Sequence, residues 1–181
     1  MCNNIILNMF SYIMLNILRD FDLPKIRRFN IRENNDEVAY GMCLGHIYPW
    51  GWALRFNGNE RFTPKICFKT TQKKNKLIYE AAIKLMKDYD PNFKFTSIMI
   101  NKNIKYKKHI DRYNNNLSYI IGLGDYEGGN LLLYDKRKND RNGNGEIVES
   151  INIKNNFFKF DGHQYHSTDD FTGERYTIVY Y

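Results

Sequence analysis

With 181 residues, 43% of them apolar and 15% aromatic, the chain can bury a core of its own, and one domain over 1–181 is the default expectation. A net charge of +7 favours a polyanionic partner, although an A+T-rich coding bias toward lysine gives the same balance without one. Three cysteines (Cys2, Cys43 and Cys67) with no paired spacing exclude a disulfide framework and a cysteine zinc site, and fit a reducing, intracellular compartment.

Residues 5–18 form the most apolar stretch. It falls short of the ~20 apolar residues of a membrane span and carries Asn8, Ser11 and Asn16. No positive start or small-residue cleavage site marks it as a secretory signal. It reads as a buried helix or strand pair, with a membrane anchor as the minor alternative. Residues 24–35 are basic and polar, with Lys25, Arg27, Arg28 and Arg32 on a loop or edge. The glycine- and aromatic-rich stretch 41–52 ends in Trp50 and Trp52, which either stack on an exposed base or cover the core. Residues 77–89 carry Leu77, Ile78, Ala81, Ala82, Leu85 and Met86 at helical spacing, and Asp90-Pro91-Asn92 ends the helix.

From Phe93 onward the pattern changes to short strands. Asn101 and Asn103, two apart, are expected on one face of a strand. Lys102, Lys105, Lys107, Lys108 and Arg112 surround His109-Ile110-Asp111 and offer a docking patch for a nucleic-acid backbone. In an extended strand His109 and Asp111 point to the same side, so imidazole and carboxylate can converge on one metal ion. A second histidine must come from elsewhere, and Asp161-Gly-His163-Gln-Tyr-His166 supplies two candidates on opposite strand faces. Two histidines and one carboxylate can occupy one face of an iron(II) ion and leave the remaining positions open. On the strand after 118, either Ser118 or Tyr119 faces the pocket. Residues 135–145 read as a polar hairpin loop. Thr172-Gly173 reads as a turn before a strand over 174–181 that opens with Arg175 and runs beside the one ending at His166. Tyr176 should point away from Arg175 into a core. Arg175 suits a bidentate contact to the distal carboxylate of 2-oxoglutarate; the bland alternative is a surface arginine paired with Glu174 or Asp170.

Residues 95–103, His109-Ile-Asp111, the segment Ser118-Tyr-Ile-Ile-Gly-Leu-Gly-Asp-Tyr-Glu-Gly-Gly-Asn130 and the stretch from His166 to Tyr181 together resemble the core of iron(II)/2-oxoglutarate-dependent oxygenases. The glycine punctuation and the ending Phe-Thr-Gly-Glu-Arg-Tyr-Thr-Ile-Val-Tyr are similar to the TET/base-J thymine hydroxylase-like branch. The resemblance covers about half the chain. It implies a mostly β fold with flanking helices and a double-stranded β-helix (jelly-roll) core over 93–181, supported by a helical and strand region over 1–92. It further implies Fe(II) on His109, Asp111 and His166, 2-oxoglutarate on Arg175 with help from Asn101 and Asn103, and O2 as the second cosubstrate. Arginine follows the distal histidine by about nine or ten residues in that family, which favours His166 over His163 and leaves the role of His163 open.

The activity implied is hydroxylation of a C–H bond, with a nucleic-acid base bearing a 5-methylpyrimidine-type methyl group as the leading substrate and DNA or RNA as the partner. A peptidyl (prolyl or lysyl) hydroxylase acting on a peptide or protein is the alternative. A non-catalytic binding module on the same fold is the second alternative, against which the complete set of four residues argues.

Overall fold

The computed structural model describes residues 2–26, 32–33, 38–47, 65–66, 72–111, 114, 117–135 and 145–181. Trp50, Trp52, Arg27, Arg28, Arg112 and the 136–144 part of the expected hairpin loop lie outside them.

The apolar N-terminal stretch is one helix, α1 (Cys2–Asp20). Leu7, Phe10, Met14 and Leu18 recur at three- and four-residue intervals and turn one stripe inward. The second helix, α2 (Lys76–Tyr89), buries Ile78, Ala82, Leu85 and Met86. Leu77 does not belong to that stripe and is 65% exposed, because it sits about 100° round the helix from Ile78. Beyond the last turn, the Asp90 carboxylate accepts the backbone N–H groups of Asn92 and Phe93, both at 3.1 Å. No helix among the described residues is long and apolar enough to cross a membrane.

The strands are β1 (Tyr40–Ile47), β2 (Lys65–Ile66), β3 (Ser97–Lys102), β4 (Leu117–Leu123), β5 (Tyr126–Gly128), β6 (Leu131–Tyr134), β7 (Ile147–Ile151), β8 (Phe158–Asp161), β9 (His166–Thr168), β10 (Phe171–Gly173) and β11 (Tyr176–Tyr180). Among the described residues they form a six-stranded antiparallel sheet in the order β2-β1-β3-β11-β4-β8, a three-stranded sheet β7-β6-β9, and the pair β5-β10. The last strand therefore lies at the centre of the large sheet, with Ile178 opposite both Ile100 and Ile121.

The two-residue period of the strands divides the molecule into two cores. On one side Ile98, Ile100, Tyr119, Ile121, Leu123, Tyr176, Ile178 and Tyr180 pack against both helices, and the Tyr180 hydroxyl donates to the Ala82 carbonyl at 2.8 Å. On the other, Ile120, Phe160 and Val179 meet Leu131 and Leu133 of β6. Asn101, Ser118, Thr177 and Arg175 alternate with the helix-facing residues, so they belong to this second, inter-sheet side. Ile121, fully buried at the centre of the large sheet, should cost about 2–5 kcal/mol when truncated to alanine. Leu117→Ala, at the exposed end of the same strand, should stay within about 0.5 kcal/mol. Urea unfolding midpoints of the two variants check the difference.

Candidate metal centre

His109 joins the edge of the small sheet. Its backbone N–H donates to the His166 carbonyl and the His166 N–H donates to the His109 carbonyl, both at 2.9 Å. This two-way bridge brings together imidazoles 57 positions apart in sequence, with ring centroids 4.4 Å apart and ring planes tilted by 54°. Asp111 follows, its N–H donating to the Gly162 carbonyl at 2.8 Å. One ligand-type atom from each of His109, Asp111 and His166 then lies within 4.8 Å of the others. The His109 Nε2 is 3.8 Å from Asp111 Oδ1, and the His166 Nε2 is 3.9 Å from Asp111 Oδ2.

Backbone carbonyls fix both imidazoles. His109 Nδ1 contacts the Lys107 carbonyl at 2.6 Å, and His166 Nδ1 contacts the Gln164 carbonyl at 2.8 Å. A carbonyl only accepts, so Nδ1 donates in each contact, which leaves Nε2, the ring nitrogen near Asp111, as the candidate metal ligand. Phe160 packs edge-on against the His166 ring at 5.2 Å, and Tyr106 flanks the His109 ring at 5.5 Å. Asn114 holds the carboxylate: its Nδ2 donates to Asp111 Oδ2 at 3.3 Å and to Ser118 Oγ at 3.1 Å. Ser118 is thus the member of the Ser118/Tyr119 pair on the metal side, while Tyr119 joins the helix-facing core.

His163 lies outside this cluster. It is exposed, and its Nδ1 is 3.5 Å from its own turn residue Asp161. His163→Ala should leave metal affinity within about twofold, whereas Asn114→Ala should lower it about 10–100-fold by freeing the Asp111 carboxylate. Titration of each variant with Co(II), followed by its visible spectrum, separates the two.

Arg175 precedes β11 and is 3% exposed. It is not beside the strand of His166: β11 pairs with β3 and β4, and β9 pairs with β6. Nor is Thr172-Gly173 only a turn, since both residues pair with β5. The guanidinium lies between the rings of Tyr126 and Phe171, with its carbon 5.5 and 5.1 Å from their centroids, and its Nη2 donates to the Gly129 carbonyl at 2.9 Å. Gly129 cannot carry a side chain here; a Cβ would stand 2.6 Å from Arg175 Nε, and its φ is +66°. The nearby acids are engaged elsewhere: Glu174 pairs with Arg19 and Lys102, and Asp170 with Lys105. Among the described residues no carboxylate pairs with Arg175. Its Nε and the Tyr126 hydroxyl are both buried without a hydrogen-bond partner. Burial accordingly pulls the Arg175 pKa below its ordinary value and pushes that of Tyr126 up. The two groups partly offset each other's shift, and among the described residues the cation has no carboxylate beside it.

The two asparagines part company. Asn101 is buried, donates to Thr177 Oγ1 at 3.1 Å and accepts from the Tyr106 hydroxyl at 2.8 Å. Asn103 lies past the end of β3, is exposed with φ 51°, and accepts the Arg175 backbone N–H at 2.7 Å. The strand face they were expected to share ends at Lys102. Of the lysines near the centre, Lys102 and Lys105 are in ion pairs with acids, Lys108 lies over the rings of Tyr134 and Tyr165, and Lys107 is exposed. Tyr126, Tyr106 and Asn114 were not singled out from sequence. Tyr126 stood in plain view inside the Gly-Leu-Gly-Asp-Tyr-Glu-Gly-Gly segment, but only its burial beside Arg175 marks it.

No protein-family model and no curated protein matches the sequence. Solved structures match the fold. The crystal structure of an oxidoreductase of the 2OG-Fe(II) oxygenase family from Burkholderia pseudomallei aligns with a TM-score of 0.55 at 14% identity, over 92% of this chain and 75% of that one. The structure of OsALKBH1 aligns with a TM-score of 0.50 at 13% identity, over 94% of this chain and 90% of that one. At such identity the likeness speaks for architecture: the chain has a mostly β fold with flanking helices and a double-stranded β-helix core, the fold of the 2OG-Fe(II) oxygenase structure it matches.

Proposed function

We propose that the protein is an iron(II)- and 2-oxoglutarate-dependent dioxygenase that hydroxylates a C–H bond. The observation that carries this reading is the pairing, on one fold, of a His109-Asp111-His166 cluster with a buried arginine, Arg175, that no acid among the described residues neutralises. The donor set fits the metal. Two neutral imidazoles and one carboxylate suit a ferrous ion and leave positions open for a chelating cosubstrate and dioxygen. His109 Nε2, His166 Nε2 and the Asp111 carboxylate, separated by 3.8 and 3.9 Å, are the atoms that would hold it. Iron(II) held by His109, Asp111 and His166 would supply oxidation of the substrate by O2, one oxygen atom entering the new hydroxyl and the other entering succinate as 2-oxoglutarate loses CO2.

The chain's own part is positional. The Lys107 and Gln164 carbonyls hold the imidazole tautomers, and Asn114 orients the Asp111 carboxylate. Arg175 receives the distal carboxylate of 2-oxoglutarate with two charge-assisted hydrogen bonds, and the Tyr126 hydroxyl supplies a further donor. Asn101 sits between Thr177 and Tyr106 on the side of the large sheet that faces the metal, where it braces the pocket wall.

For the substrate we favour a nucleic-acid base with a 5-methylpyrimidine-type methyl group. The net charge of +7 and the likeness of residues 118–130 and 166–181 to the TET/base-J thymine hydroxylase-like branch support this choice. Exposed Lys107, two residues from His109, is the lysine best placed for a phosphate. The test is succinate production from 2-oxoglutarate and Fe(II), with methylated DNA, RNA or a peptide panel added. Stimulation by polynucleotide that weakens steeply with salt is the expected result. Stimulation by proline- or lysine-containing peptides alone would move the substrate to protein. A chain that binds no iron would overturn the reading altogether.

A further inference from the structure

We propose that Arg19, at the far end of the N-terminal helix, is a positioning residue for the cosubstrate anchor; the proposal rests on the reading of Arg175 given above. Arg19 reaches from the last turn of α1 to two links between strands. Its Nε donates to Glu174 Oε2 at 2.7 Å and its Nη2 donates to Asp125 Oδ2 at 2.6 Å. Each residue it grips stands immediately before a residue of the anchor: Asp125 precedes Tyr126, whose hydroxyl makes no hydrogen bond, and Glu174 precedes Arg175, whose Nε makes none.

The two links are already locked to each other. The Glu174 N–H donates to the Asp125 carbonyl at 2.9 Å. A Cβ on Gly124 would stand 2.2 Å from the Glu174 carbonyl oxygen, and one on Gly173 would stand 2.2 Å from the Asp125 carbonyl oxygen. Both glycines have positive φ, +119° and +94°, so the close backbone approach depends on them. The second Glu174 oxygen accepts from the Tyr176 hydroxyl at 3.0 Å and pairs with Lys102 at 3.4 Å. Arg19 thus closes a network of several charges, a case in which partly exposed ion pairs do contribute. Burial pushes the Glu174 carboxyl up, but its contacts with Arg19, Tyr176 and Lys102 outweigh that and hold it below the usual carboxylate range. Met14 and Leu18 fix α1 in the helix-facing core, so Arg19 transmits the position of that core to the spacing between Tyr126 and Arg175. Small misplacements of such a pair weaken a bidentate contact strongly.

The experiment is calorimetric titration of the full chain with 2-oxoglutarate in the presence of Mn(II), with Mn(II) affinity and the thermal melt measured on the same samples. Arg19→Met should raise the 2-oxoglutarate Kd about five- to tenfold and leave Mn(II) affinity within about twofold. Arg19→Lys, whose single ammonium cannot span both carboxylates as a fork, should recover part of the loss. Asp125→Asn removes one arm at a side chain that is 84% exposed; it should give a smaller rise in Kd and serves as the deciding variant if Arg19→Met does not melt cooperatively. A cooperatively folded Arg19→Met, or in its place Asp125→Asn, with the wild-type Kd overturns this proposal alone. A wild-type chain that binds Mn(II) but no 2-oxoglutarate overturns the cosubstrate reading, and this proposal with it.

Discussion

Replacing Arg175 by methionine is expected to abolish 2-oxoglutarate binding at working concentrations while leaving the free protein as stable as before, or more so. The two effects have opposite signs for one reason. In the free protein the guanidinium is buried, donates to the Gly129 carbonyl and, among the described residues, faces no carboxylate. A buried charge of that kind carries a desolvation cost that an apolar side chain of similar length does not. Once a dicarboxylate is present, the same group becomes one half of a buried ion pair. Truncating one half of such a pair costs about 2–5 kcal/mol, or about 30- to 5,000-fold in Kd. Thermal melts with and without 2-oxoglutarate, in the presence of Mn(II), read both effects together. The wild-type melting temperature should rise with ligand, and that of Arg175→Met should not, starting from an equal or higher ligand-free value. A variant that melts well below wild type without ligand would show that Arg175 is structural. A variant that keeps the ligand-induced rise would remove it from the anchor.

Alanine at His166, or asparagine at Asp111, should lower divalent-metal affinity by more than the 10–100-fold typical of an outer-sphere change and bring succinate formation to background. His166 is 5% exposed and shares a two-way backbone bridge with His109, so loss of the imidazole removes a ligand without removing the bridge. Asp111→Asn keeps the shape and the Asn114 contact region but takes away the negative charge that two neutral imidazoles need beside a dication. Cobalt titration and succinate assay should fail together in both variants. Activity retained in His166→Ala and lost in His163→Ala would reverse the choice of histidine. Only two residues lie between them in sequence, but in space one faces Asp111 and the other faces its own turn.

The pattern of elements was legible because it depends on near neighbours in the chain. The α2 stripe, the central strand 176–180 and the inward turn of Tyr176 follow from periods of 3.6 and 2, which any stretch of backbone imposes on its own side chains. The misreadings have the same local origin. Leu77 was grouped with the apolar residues at helical spacing although it points off their stripe, and Asn103 was counted with Asn101 because the strand was taken one residue too far. The pair His109 and Asp111 could be read as converging ligands from their two-residue spacing, although His109 forms only an isolated bridge with His166 and Asp111 lies outside the strands.

The sequence by itself determined the types of residue available for a metal, their order along the chain, and the helices and strands that carry them. It also determined that an arginine would stand at the entry to a buried strand. Only the tertiary structure decided that His166 rather than His163 meets Asp111, that Asp170 and Glu174 turn to Lys105, Lys102 and Arg19 instead of Arg175, and that Tyr126 stands beside the guanidinium with its hydroxyl unused. Those outcomes hang on the register between strands distant in sequence and on which charge reaches which first across a packed interface. A chain's local periodicity contains neither.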